Sequence, residues 1–187
     1  MGASHQGDIA ELCAIAQPDY GIITNVGKAH LEGFGSEEII RKTKGELYDY
    51  LKQNNGVVFI NGESPTLISM LGHYSGIKYG NTDDSFCTGK LTSKEMYVGI
   101  EWQCNDNSGL AISNLIGDYN FENILAAICL GNYFNISPTI IDKTIGSYTP
   151  SNNRSQWVRG RRNHLILDFY NANPTSMRAV LDNFRMI

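Results

Sequence analysis

The stretch YGIITNVGKAHLEGFGSEEIIRKTKGELYDYLKQNNGVVFIN, residues 20–61, decides the fold. It opens on an apolar run, YGIITNV, which predicts a short buried strand closing at Gly27. It ends on a second such run, GVVFIN. Between them, SEEIIRKTKGELYDYLK begins with Ser36, a residue type whose side chain caps helices, and carries Glu37 and Glu38 where the helix dipole favours acids. Its apolar residues recur at helical intervals. Strand, helix and strand in this order are the signature of a parallel sheet covered by helices.

The flanking sequence extends the pattern. DIAELCAIA (8–16) has apolar residues at helical spacing, and Pro18 follows as a stop signal. PTLISMLGHY (65–74) predicts another helix. Residues 86–116 lose the helical period, and their short apolar runs between polar turns predict a small antiparallel excursion, a hairpin or three-strand meander. Helices resume with NFENILAAICLGNYF (120–134) and SPTIIDKTIGSY (137–148). TPSNNRSQ (149–156) is loop-like and marks the expected boundary between a domain at 1–150 and another beginning at 151–187. Beyond it come WVRG, a strand NHLILD and a helix NPTSMRAVLDNF. The fold class is α/β.

Composition narrows the function. With 187 residues, 42% hydrophobic and 18% charged, the chain can build a sizeable core as one large domain or two small ones. No apolar run approaches the length of about 18 residues that a membrane span needs. MGASHQGD lacks the basic and apolar segments of a secretion signal, so the expected compartment is the cytoplasm. A net charge of −4 gives no footprint for nucleic acid. Cys13, Cys87, Cys104 and Cys129 are scattered, with no C-x-x-C pair, and predict neither a zinc site nor a disulfide framework. Cys13 and Cys129 sit in apolar helical patterns, where a free cysteine acts as a small hydrophobe.

Four places carry candidate chemistry. Ile40, Lys44, Leu47 and Leu51 fall at i, i+4, i+7 and i+11, which puts Lys44 on an apolar stripe. A buried ammonium must be paired, neutralised or snorkelled out. Snorkelling is the ordinary outcome, but a neutral amine also reacts with carbon dioxide to give an anionic carbamate that can bind metal. GKAHLEGFG places His30 among glycines at a strand exit, a setting for metal or phosphate chemistry or for a structural hydrogen bond. GDYNFENILAA sets Asn120 and Asn123 at a helix start, either as a cap with a solvated amide or as a pair reading a nucleobase edge.

DFYNANPTSM (168–177) follows a strand with Asp168, at the position where open α/β sheets bind ligands. Asp168 either accepts ribose hydroxyls or completes a turn, while Asn173 suits an N-cap and Pro174 the first helical position. CTGKLTS is a decoy: Leu91 interrupts the G-x-x-x-x-G-K-[ST] pattern and the surroundings are strand-like.

Taken together, GASHQGDI, QPDYGIITNVGKAHLEGFGS, KTKGELYDYL, YNFENILAA, NNRSQ and DFYNANPTSM resemble one family in one order, the Mur ligases. The resemblance spans almost the whole chain and implies the later part of a central ATPase domain followed by the first strand and helix of a Rossmann-like domain. It implies ATP-dependent amide ligation through an acyl phosphate. The YNANP element resembles the member that adds D-alanyl-D-alanine to a UDP-N-acetylmuramoyl tripeptide. By the same resemblance, His30 is a magnesium ligand and Lys44 a carbamylated lysine at the metal. Arg154 approaches the phosphates, Asn120 and Asn123 contact adenine, and Asp168 holds the ribose beside Asn171 and Asn173. The family's GTNGKT loop does not occur in these residues, so they are expected to be inactive by themselves. The alternatives are a nucleotide-site module without turnover and a folylpolyglutamate synthetase-like ligase, against which YNANP speaks.

Overall fold

A computed structural model of the chain describes residues 1–27, 36–92, 97–151, 156–167, and 177, 178 and 181. They belong to two units, Met1–Ser85 and Phe86–Ile187. In the first, α1 (Asp8–Ala16), β1 (Tyr20–Ile22), α2 (Glu37–Gln53), β2 (Val57–Asn61), α3 (Pro65–Leu71) and β3 (Gly76–Tyr79) follow one another. β1, β2 and β3 are parallel neighbours, with Gly21 opposite Val58 and Phe59 opposite Ile77. Parallel strands need a crossover between them. Here α2 and α3 lie in those connections.

α2 starts where Ser36 predicts, its Oγ accepting from the Ile39 N–H at 3.3 Å. Ile40, Thr43, Tyr48 and Leu51 form its buried face. Tyr48 and Leu51 join Ile23, Val58, Ile60, Leu67 and Leu71 in one core. Gly21 permits the close approach of strand to helix, since a Cβ there would stand 2.6 Å from Leu51 Cδ1.

Two boundaries differ from the sequence reading. β1 ends at Ile22 rather than continuing to Val26, because the chain leaves the ladder and the Asn25 carbonyl is hydrogen-bonded by a lysine instead. α3 stops at Leu71 rather than Tyr74. Gly72 takes φ 67°, a left-handed conformation glycine adopts without penalty, and its N–H bonds the Ile68 carbonyl at 3.0 Å. β3 was not anticipated: GIKY is too short to show a period and is defined by its pairing with β2.

The second unit holds the expected meander as β4 (Cys87–Leu91), β5 (Tyr97–Cys104) and β6 (Asn107–Ile116), antiparallel throughout. A 3₁₀ turn, Asp118–Asn120, runs into α4 (Phe121–Tyr133), and α5 (Pro138–Ser147) follows. α4 buries Ile124, Leu125, Ile128 and Cys129. α5 is tied to the meander by polar contacts: Trp102 Nε1 donates to Asp142 at 2.7 Å, and Asn114 Nδ2 to the Gly146 carbonyl at 2.8 Å. β7 (Gln156–Arg159) and β8 (His164–Leu167) form an antiparallel pair. Of the helix expected over residues 173–184, Met177, Arg178 and Leu181 are described, all helical.

The cysteine reading needs one correction. Cys87 and Cys104 form a disulfide between β4 and β5. Spacing along the chain concealed it, because the two are brought opposite each other only by strand register. Cys13 and Cys129 are free and buried, as their helical patterns predict. Burial pushes the Cys129 thiol up to about 12. Among the described residues, no helix is long and apolar enough to cross a membrane.

Candidate functional site

In the first unit the chemistry gathers at the exit of β1. A cavity of about 270 Å³ opens there, lined by Met1 and Ile9 from the α1 side, Thr24 and Asn25 beyond the strand, and Lys44 and Leu47 of α2. The helical spacing that placed Lys44 on the apolar stripe holds, with Ile40 and Leu51 buried above and below it. Its Nζ donates to the Asn25 carbonyl at 2.8 Å. Partial burial removes water from the ammonium and lowers the Lys44 pKa from the ordinary lysine value. One hydrogen bond to a neutral carbonyl does not supply a counter-charge. The shift raises the share of neutral amine, the form that attacks carbon dioxide, above that of a solvated lysine.

A lysine ammonium cannot hold a cation, whereas a carbamate on the same nitrogen would offer two hard oxygens. Among the described residues, no group of three or more His, Cys, Asp or Glu is placed to hold a metal ion. The described lining of the cavity includes no acid, so with Lys44 as an ammonium it offers a cation only neutral oxygens.

In the second unit, Asn120 and Asn123 are brought together at the start of α4. Asn120 is buried and its Nδ2 donates to the Ile116 carbonyl at 2.8 Å. That fixes its Oδ1 toward Asn123, whose Nδ2 approaches at 3.4 Å. Asn123 is exposed. The pair is thus an ordered one: a buried amide anchored to the backbone, and an outer amide facing solvent.

His30, Arg154, Asp168, Asn171 and Asn173 lie outside the described residues. β8 ends at Leu167, one residue before Asp168.

Comparison with known proteins places this arrangement. The family described as Mur ligase middle domain matches residues 1–131. The chain belongs to the Mur ligase family. Along 97% of its length it is 32% identical to the UDP-N-acetylmuramoyl-tripeptide–D-alanyl-D-alanine ligase of Mycobacterium tuberculosis (strain ATCC 25618 / H37Rv), covering 36% of that protein. It is 29% identical to the ligase of the same name from Bacillus subtilis (strain 168), covering 39% of it. The chain therefore spans under half the length of these relatives.

Among solved Mur ligase structures, MurF of Thermotoga maritima in complex with ADP superposes with a TM-score of 0.84 at 27% identity, over all of this chain and 43% of that one. A MurF from Acinetobacter baumannii gives 0.86 at 24% identity, over all of this chain and 42% of that one. The α/β fold with its antiparallel excursion is the fold of these proteins.

The sequence reading missed Asn25, because a backbone carbonyl has no side-chain signature.

Proposed function

We propose that the chain is a segment of an ATP-dependent ligase of peptidoglycan synthesis, working in the cytoplasm, that joins D-alanyl-D-alanine to a UDP-N-acetylmuramoyl tripeptide. The observation that carries the chemistry is Lys44, partly desolvated and held by the Asn25 carbonyl at the exit of β1. The names of the relatives supply the substrates. In this reading the terminal carboxylate of the tripeptide attacks the γ-phosphorus of ATP and ADP leaves. The amine of D-alanyl-D-alanine then attacks the acyl carbon, loses a proton and expels phosphate.

The neutral Lys44 amine takes up carbon dioxide and releases a proton, leaving a carbamate in the cavity. Magnesium, when bound, would neutralise charge on the phosphates, and Lys44 carbamate with His30 would hold it. Asn123 contacts the adenine edge while Asn120 keeps it in place. Arg154 reaches the phosphates, and Asp168, with Asn171 and Asn173, holds the ribose from a domain that begins at residue 151. The support for these last residues is the match of NNRSQ and DFYNANPTSM to the family pattern.

The test is product formation by the full-length protein. With ATP, magnesium and the UDP-linked tripeptide, it should form an amide with D-alanyl-D-alanine and release one phosphate for each amide made. Ligation of a single amino acid in preference to the dipeptide, or no amide with either, would refute the assignment.

A further inference from the structure

The two ends of α4 are held by different means. At its start lie Asn120 and Asn123, joined by an amide contact of 3.4 Å. Its far end is gripped from the meander on both sides of the Cys87–Cys104 disulfide. Phe86, next to Cys87, packs edge-on against Tyr133, with ring centroids 6.4 Å apart. Asn107, opposite Cys104 in the β5–β6 ladder, donates through Nδ2 to Asn132 Oδ1 at 3.1 Å. Asn132 in turn donates to the Ile128 carbonyl within the helix, also at 3.1 Å. Midway along α4, Leu125 presses on β4 at Gly89, two residues from Cys87 and on the same face; a Cβ there would stand 2.9 Å from Leu125 Cδ1. The disulfide therefore ties together the two strands on which α4 is seated. Its place leaves it open to exchange. Cys87 is the first residue of β4 and Cys104 the last of β5, so the link lies at the end of their ladder, beside the turn at Asn105 and Asp106. Both cysteines are buried while the ladder is closed, but ladder ends open locally at far less cost than global unfolding. In a reducing compartment such as the cytoplasm, disulfides that form are usually transient.

We propose that Cys87 and Cys104 are a reversible redox pair that tunes nucleotide binding, by setting how firmly α4 is seated on the meander. A dithiol reductant supplies the other half of the reaction. One of its thiolates attacks a cysteine sulfur, and the S–S bond breaks as a mixed disulfide forms. Its second thiolate then closes the reductant's own disulfide, so that two electrons and two protons pass to Cys87 and Cys104, which become free thiols. Resting on the reading of Asn120 and Asn123 as the adenine contacts, the consequence is weaker ATP binding in the reduced state. Loosening the seat of α4 lengthens the Asn120–Asn123 contact, already 3.4 Å, past hydrogen-bond range and frees the outer amide to turn away.

The experiment equilibrates the folded full-length protein in graded ratios of reduced to oxidised dithiothreitol. At each ratio, thiols are quenched in acid and counted, and ATP affinity is measured by equilibrium dialysis. The same titration is run on the Cys87→Ala, Cys104→Ala double variant. The thiol count should rise by two over a defined range of ratios, and the Kd for ATP should rise in step by about threefold to tenfold, the scale of one hydrogen bond. The double variant should bind ATP as the reduced protein does and ignore the ratio. If that variant does not fold, the titration of the unsubstituted protein decides the matter. A link that stays closed in excess dithiol while the protein is folded, or equal ATP affinity in both states, would overturn the inference and leave the disulfide a staple. A redox-dependent affinity that persists in the double variant would also overturn it. ATP bound in neither state would overturn the nucleotide reading of Asn120 and Asn123, and this inference with it.

Discussion

Lys44 shows how one side chain can be set up by three elements. The β1 exit supplies the Asn25 carbonyl, α2 supplies the residue itself, and Met1 and Ile9 from the α1 side line the cavity. The lowered pKa has a consequence for stability whose sign can be worked out. The unfolded chain binds the proton more tightly than the folded one, so the folded state gains stability as pH rises toward the ordinary lysine value of about 10.4. In carbonate-free buffer, the full-length protein should therefore gain stability across the alkaline range just below that value more steeply than Lys44→Met does. Chemical denaturation at several pH values measures this, and equal slopes would mean that Lys44 is as well solvated in the fold as out of it. At the second site, burial assigns the two amides different duties: Asn120 is committed to the Ile116 carbonyl, and Asn123 faces outward.

The elements divide by how local their cause is. α2 was legible from Ser36 onward, because its cap, its first-turn acids and its apolar stripe agree and all three are local. β3 was not, because four residues carry no period and only pairing with β2 defines them. The disulfide escaped for the same reason, since register and not spacing brings Cys87 opposite Cys104. Of the candidate site, Lys44 was legible because burial on a helical face leaves a pattern in the sequence. Asn25 was not, because its contribution is a backbone oxygen. The β4–β5 link invites a direct measurement. With its cysteines 17 residues apart, it should stabilise the second unit by about 3 kcal/mol. Reduction should lower the melting temperature and raise the count of titratable thiols by two in denaturant, while Cys13 and Cys129 stay unreactive until the chain unfolds. A melting temperature insensitive to reductant would show that the link contributes nothing.

At the scale of the molecule, one lysine links the fold to the proposed reaction. The match to the Mur ligase middle domain covers residues 1–131, and the likeness to relatives named for D-alanyl-D-alanine ligation runs along nearly all of the chain. The chain spans under half of those relatives, so the proposed reaction is tested on the full-length protein. The most direct test is phosphate release by that protein and its Lys44→Ala variant, in the presence of ATP, magnesium, the UDP-linked tripeptide and D-alanyl-D-alanine. If Lys44 carries the carbamate, the variant should lose at least about a hundredfold in kcat, the scale of removing a group that stabilises charge in the transition state. It should keep its melting temperature and recover part of the rate when a short carboxylate is added. A Lys44→Ala enzyme that turns over at the original rate would contradict the account.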